Sequence, residues 1–233
     1  MVSMTIGLVV IAAAGQLFIS SKRIFNLQQT QSSFQEQATL LGTMIAGLLR
    51  QTGNIDVSSA SVVRSHLFRK NATFAADGQM IAGISGTAKR TVATPSGGTL
   101  QTFPNDAIAF RFEGGKGIVD CAGNPTTAGT YYQHALLIKN EQLICRPEVG
   151  TSPVELVGVT AALSSREVRV LGLKILYGID ENGDGSINDY NRAGDMAAPD
   201  WRAILDAWLE VTVQAGDLPP ETIRFVIHFS NLG

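Results

Sequence analysis

Charge is what this sequence has least of. Charged residues make up 16% of its 233 residues, against about 25% in soluble domains, and 18 basic against 20 acidic side chains leave a net charge of -2. No general basic field exists to gain counterion-release energy from phosphates, so nucleic acid is not an expected partner. Aromatics are scarce at 7%, yet 45% of the chain is hydrophobic, which excludes a disordered segment. The chemical signatures are thin as well. There is no HExxH, GxSxG elbow, P-loop or GxGxxG, and Gly114-Gly115-Lys116-Gly117 lacks the Walker spacing. His66, His134 and His228 are far apart in sequence and read as ordinary strand or helix positions. Nothing here points to an enzyme.

The charge deficit has a location. No residue from Met1 to Ser21 is charged, and Lys22 is the first that is. About 20 helical residues span the ~30 Å hydrocarbon core of a bilayer, so this run is a transmembrane candidate. A signal peptide would carry a basic stretch ahead of its apolar core, and none precedes this one. No proline occurs before Pro95. Beyond Lys22 the positions Ile24, Leu27, Gln31, Phe34, Ala38, Leu41, Ile45 and Leu48 are spaced alternately three and four apart, a single seam on a continuing helix. Flanking charges of the coiled-coil kind are nearly absent, so the seam is expected to pack on the chain's own downstream domain. The helix is predicted to run from near Met1 to about Arg50, some 75 Å, and to stop by Gly53-Asn54. This divides the chain into a helix over 1–52 and a globular head over 53–233.

After Gly53 the period changes to two. Ile108, Phe110 and Phe112 form one alternating row; Leu171, Leu173, Ile175 and Tyr177 a second; Leu209, Val211 and Val213 a third; Ile223, Phe225, Ile227 and Phe229 a fourth. They read as half-buried antiparallel strands joined by turns such as Pro95-Ser96-Gly97-Gly98 and Gly123-Asn124-Pro125. Asp200 to Leu205 reads as a short helix before a strand at Trp208. The expected class is α+β, with one sheet layer covered by the striped half of the first helix.

Cys121 and Cys145, the only cysteines, flank the Tyr131 to Lys139 strand. In an exported head they would pair as a disulfide, contributing roughly 3 kcal/mol; otherwise they are two buried thiols. Zinc is disfavoured, because two cysteines without a matched histidine pair do not make a tetrahedral site.

The sharpest local motif runs from Asp180 to Asn191. Asp180, Asn182 and Asp184 supply oxygens at positions 1, 3 and 5, Gly185 the turn at 6, Ser186 a carbonyl at 7, and Asn188 and Asn191 side-chain oxygens at 9 and 12. Hard oxygen donors at this spacing suit Ca²⁺, and the run resembles the loops of EF-hands and dockerins. Asn191 cannot give the bidentate carboxylate of position 12, so affinity is expected in the weak class, about 0.1 to 1 mM. The bland alternative is a solvated Asx/Gly turn.

The layout resembles a known family. The start MVSMTIG, continuing through Gln16-Leu17-Phe18 and Ser20-Ser21-Lys22, is similar to the N-terminal helix of type IV pilins, and of the PilW family of minor pilins in particular. Asp106-Ala107-Ile108, Arg111-Phe112-Glu113-Gly114, Asp120-Cys121-Ala122-Gly123-Asn124, Leu143-Ile144-Cys145, Tyr177-Gly178-Ile179-Asp180 and Trp201 follow in that family's order. The resemblance implies a type IV pilin fold, a long N-terminal helix packed on an antiparallel β-sheet head, with a disulfide in that head. It implies a low-abundance subunit that helps initiate or prime pilus assembly. Its partners would be other minor pilins and the major pilin, met through the N-terminal helix. The chain would lie in the inner membrane of a Gram-negative bacterium with its head in the periplasm, and then in the pilus. The family's basic leader, Gly-Phe cleavage site and fifth-residue glutamate precede the point at which Met1-Val2-Ser3-Met4 aligns: either the sequence is truncated or its start lies downstream of the true one, whereas a genuine start would set aside peptidase processing and glutamate-guided docking. A type II secretion pseudopilin and a membrane-anchored, calcium-dependent adhesion or binding module are the other readings.

Overall fold

The computed structural model describes residues 2–55, 68–71, 73–86, 90–93, 100–147, 154–155, 168–197, 200–216 and 218–230. The Pro95 to Gly98 turn and His66 lie outside them. Helix α1 spans Val2–Arg50 without interruption, as the absence of proline and the three-four spacing predict. By internal contacts the chain forms two units, Met1–Leu40 and Leu41–Gly233, so the division falls inside the helix.

In the first unit the upstream seam is not covered. Ile24 and Leu27 are exposed, together with Ile11, Leu17, Phe18, Ile19 and Phe25. Apolar side chains thus emerge all round this part of the helix, and a one-sided stripe does not describe it. Among the described residues, no helix is long and apolar enough to cross a membrane. The side chains of 2–5 and 8–10, within the uncharged run, lie outside the described set. The expected membrane span therefore finds no support in the described residues.

Farther along, Phe34 is buried and Ala38 half-buried, and the second unit holds the end of the seam. Leu41, Ile45, Leu48 and Leu49 are buried, each a gain of about 1.5–3 kcal/mol over an exposed side chain. The helix ends by handing its unpaired backbone to the head. Gln51 and Thr52 donate to Leu48 and Leu49, and Gly53, in the left-handed conformation at φ 73°, donates to the Arg111 carbonyl at 2.8 Å. The Glu113 amide donates to the Asn54 carbonyl, and the Asn54 side-chain amide returns a bond to the Glu113 carbonyl.

Eleven strands follow among the described residues: β1 Ile81–Ile84, β2 Arg90–Ala93, β3 Leu100–Phe103, β4 Ala107–Glu113, β5 Tyr131–Lys139, β6 Gln142–Pro147, β7 Val154–Glu155, β8 Val168–Ile179, β9 Asp189–Asn191, β10 Ile204–Ala215 and β11 Glu221–His228. The class is α+β, as expected. One sheet layer was expected, but the strands form two larger sheets, ordered β1-β4-β5-β6-β7 and β11-β10-β8-β9, and a two-stranded ribbon β2-β3. All the pairings between strands are antiparallel.

Asp106 ties the two larger sheets together. Its amide donates to the Leu173 carbonyl of β8 at 2.8 Å, and the Leu173 amide donates to Pro104 at 2.9 Å. Its carboxylate accepts from the Ile175 amide of β8 and from the Gly86 amide beyond β1, both at 3.0 Å. The residue is buried. Leaving one buried polar group unpaired costs about 1–3 kcal/mol, so this one side chain outweighs any exposed ion pair in the head.

Packing on both sides also explains where the alternation misled. β8 and β10 bury Leu171, Leu173, Ile175, Tyr177, Leu209, Val211 and Val213 as the rows predict. In β4, however, Ala109, Arg111 and Glu113 are buried as well as Ile108, Phe110 and Phe112. Arg111 tolerates burial because its Nη1 donates to the Arg69 carbonyl, its Nε donates to Gln133, and its guanidinium lies 3.7 Å from the centre of the Phe74 ring. The helix expected from Asp200 to Leu205 is a single 3-10 turn, Asp200–Arg202, because β10 already begins at Ile204.

Candidate functional site

The Asp180–Asn191 run bridges β8 and β9. Its base is closed by Asn188 donating to the Ile179 carbonyl and Asp180 donating to Ala203. Within it the carboxylate of Asp180 organises the chain. Its Oδ1 accepts from the amides of Gly183 (2.7 Å) and Asp184 (3.2 Å), and its Oδ2 accepts from Gly185 (2.8 Å). Those bonds require the chain to turn through left-handed backbone at Gly183 (φ 74°) and Gly185 (φ 83°), which is where glycine stands. The Asn182 Oδ1 accepts from the Asp184 amide, the Asp184 Oδ1 accepts from Ser186, and the Asn188 Oδ1 accepts from the Glu181 amide. The Ser186 amide, and then the Asn182 side chain, hold the Asp184 carboxyl below the usual carboxylate range.

The donor set suits a hard cation at one end of the loop and departs from it at the other. Asp180, Asn182 and Asp184 crowd one short exposed stretch, and a carboxylate oxygen that accepts an amide keeps a second lone pair. Asn191 belongs to β9, in register with Tyr177, so its backbone is committed to the sheet. The loop is anchored to the head through Tyr190, whose hydroxyl donates to Asp206 Oδ2 of β10 at 3.0 Å and whose ring meets Trp208 edge-on. Gly178 separates the two strands on this face, and a side chain there would run into the Asp206 carboxylate and Ile187.

The two cysteines are joined. Cys121, in the Asp120–Gly123 turn, and Cys145, in β6, form a disulfide with their Cα atoms 5.7 Å apart. The Asp120 carboxylate shapes the turn by accepting from the amides of Ala122 and Asn124. Beside the disulfide lies a residue that sequence reasoning passed over. His134 of β5 is completely buried, ringed edge-on by Phe110, Phe112 and Tyr132. Among the described residues neither of its ring nitrogens has a hydrogen-bond partner. Burial drives its pKa down to about 4, so the ring is neutral at pH 7. Cys121, His134 and Cys145 each offer a donor atom within 4.8 Å of the others, the one such group of three among the described residues. Alternation in β5 gave no sign of this, because the partners come from a distant turn and the next strand.

No family model matches the chain, and no curated protein matches it. Among solved structures it is similar to a type IV-like pilin from Thermus thermophilus, at 11% identity and a TM-score of 0.48, over 86% of this chain and 98% of that one.

The pH dependence of stability follows from His134. An unfolded histidine takes up a proton near pH 6.5, whereas the folded one stays neutral down to about 4. Its contribution is fully present above pH 6.5 and is lost as pH falls through that window, by roughly 3 kcal/mol in all. Chemical denaturation of the disulfide-bonded chain between pH 7.5 and 4 should show this loss on top of that from the carboxylates, and His134→Leu should remove it. Equal pH slopes in the two proteins would refute the assignment.

Proposed function

We propose that the chain is a pilin-type structural subunit, a minor pilin of the PilW kind that helps start or prime assembly of a type IV pilus. The observation that carries the reading is the continuous Val2–Arg50 helix. Its first 21 residues are uncharged, its apolar side chains remain exposed as far as Leu27, and its last turns are buried in an antiparallel β head. Such a helix needs an apolar environment that the head does not supply. Lipid would provide it before assembly and the helices of other pilins afterwards, with Gly7, Ala12, Ala13, Ala14 and Gly15 allowing close approach. On this reading the chain would lie first in the inner membrane with its head in the periplasm, and then in the pilus. The role is non-enzymatic. A disulfide in the head is in keeping with an oxidising compartment.

Calcium is the ion proposed for the Asp180–Asn191 loop, held by Asp180, Asn182, Asp184 and the Ser186 carbonyl, with Asn188 and Asn191 at the remaining positions. Its role there would be to stiffen the β8–β9 connection. Calorimetric titration of the chain with CaCl₂ should give a weak, saturable heat, at about 0.1 to 1 mM, that Asp184→Ala abolishes; no heat would remove calcium from the reading. The assembly role is tested by co-purification with the heads of other minor pilins in calcium-containing buffer. A stable complex is expected, and loss of piliation on gene deletion with it. Normal pili with lost attachment would instead support an anchored binding module, and association with secretion components would support a pseudopilin.

A further inference from the structure

A completely buried imidazole with both nitrogens unpartnered demands an explanation, because each unsatisfied buried group costs about 1–3 kcal/mol. His134 is such a group. What distinguishes the position is its neighbours. His134 is in register with Pro147, and Leu136 with Cys145, so His134 and Cys145 stand on one face of adjacent strands, two residues out of register. Cys121 comes to the same point from the Asp120–Gly123 turn.

We propose that Cys121, His134 and Cys145 form a second, metal-holding state of the same cross-link, in which the opened disulfide binds one Zn²⁺ through two thiolates and the neutral imidazole. Tetrahedral zinc with Zn–S of about 2.3 Å and Zn–N of about 2.0 Å needs donors roughly 3.5–3.8 Å apart. The two sulfurs are bonded to each other in the oxidised chain and would part to that separation on reduction, and the histidine nitrogen lies within 4.8 Å of both. The charge also fits. Two thiolates, one imidazole and Zn²⁺ sum to zero, a total that a largely buried site holds without a large desolvation penalty. Cu⁺ on the same donors would leave a buried negative charge. A water can complete the tetrahedron from the side of Cys121, whose neighbours Ala122 and Gly123 are exposed.

The step balances with a dithiol as reductant. The dithiol gives two electrons and two protons, becoming a disulfide itself, and Cys121 and Cys145 become thiols. Zn²⁺ then displaces those two protons to solvent. His134 is already neutral and gives up none. The 120–123 turn is thus tied to β6 covalently in the oxidised chain and through the metal in the reduced one.

The test uses the full chain, reduced with a phosphine so that no added thiol competes, and titrated with Zn²⁺ against a chromophoric chelator. The oxidised chain serves as the baseline for any cation held by the Asp180 loop. One Zn²⁺ per reduced chain is expected, lost on reoxidation, with affinity at least tenfold weaker in His134→Leu. X-ray absorption of the zinc-loaded wild-type chain should show two sulfurs and an imidazole nitrogen, a readout that does not depend on a variant folding. Absence of stoichiometric binding to the reduced chain, equal affinity in His134→Leu, or a zinc shell without imidazole would each overturn the proposal.

Discussion

The head depends on what converges around β4. On its N-terminal side the Asp106 carboxylate and the Pro104 and Leu173 backbone groups lock the first sheet to the second. On its C-terminal side the Arg111 carbonyl and the Glu113 amide receive the end of the helix. Both joints are made largely of backbone groups, with one buried carboxylate in charge of the first. Backbone groups removed from water must be paired, so neither sheet nor the helix end can shift without stranding several of them. This is why a β-strand with an arginine and a glutamate in it is buried on both faces, and why Arg111 is held by a carbonyl, an amide and an aromatic ring rather than by solvent.

The helix bears the other constraint. Its sequence is a single run without proline, but its chemistry changes along the way, from uncharged through mixed to amphipathic. The last two and a half turns are satisfied within the head. The upstream turns carry large apolar side chains that are exposed, Ile11, Leu17, Phe18, Ile19, Ile24, Phe25 and Leu27 among them. The uncharged start of the helix accounts for only part of the low overall charge, since the 18 basic and 20 acidic side chains all fall in the remainder of the chain and still leave it poorer in charge than an average soluble domain.

Much of this was legible from residue order. Three-four spacing and the lack of proline marked the helix and its end at Gly53, and alternation marked β8, β10 and β11, although Thr212 and Gln214 of β10 are buried beside Val211 and Val213. β4 broke the pattern since its second face is covered too, and the split into two sheets was invisible because the Asp106 joint depends on backbone groups, which every residue has. The Asp180 loop was found by spacing alone, its glycines standing where positive φ is required. The commitment of Asn191 to β9 was not, since a loop motif gives no information about where the next strand begins. His134 was missed for the same reason in stronger form: its significance lies in a turn 13 residues upstream and a strand 11 residues downstream. Only pairing register brings these together.

One continuous helix has two environments, its end buried in the head and its beginning exposed. Amide hydrogen exchange along α1 of the full chain measures this directly. Amides of Leu41–Arg50 should be protected to the level of β4 and β8 and exchange only on global unfolding, while those of the polar stretch Asn26–Gln29 should exchange much faster through local opening. Equal protection along the two segments, or fast exchange at Ile45 and Leu49, would contradict it.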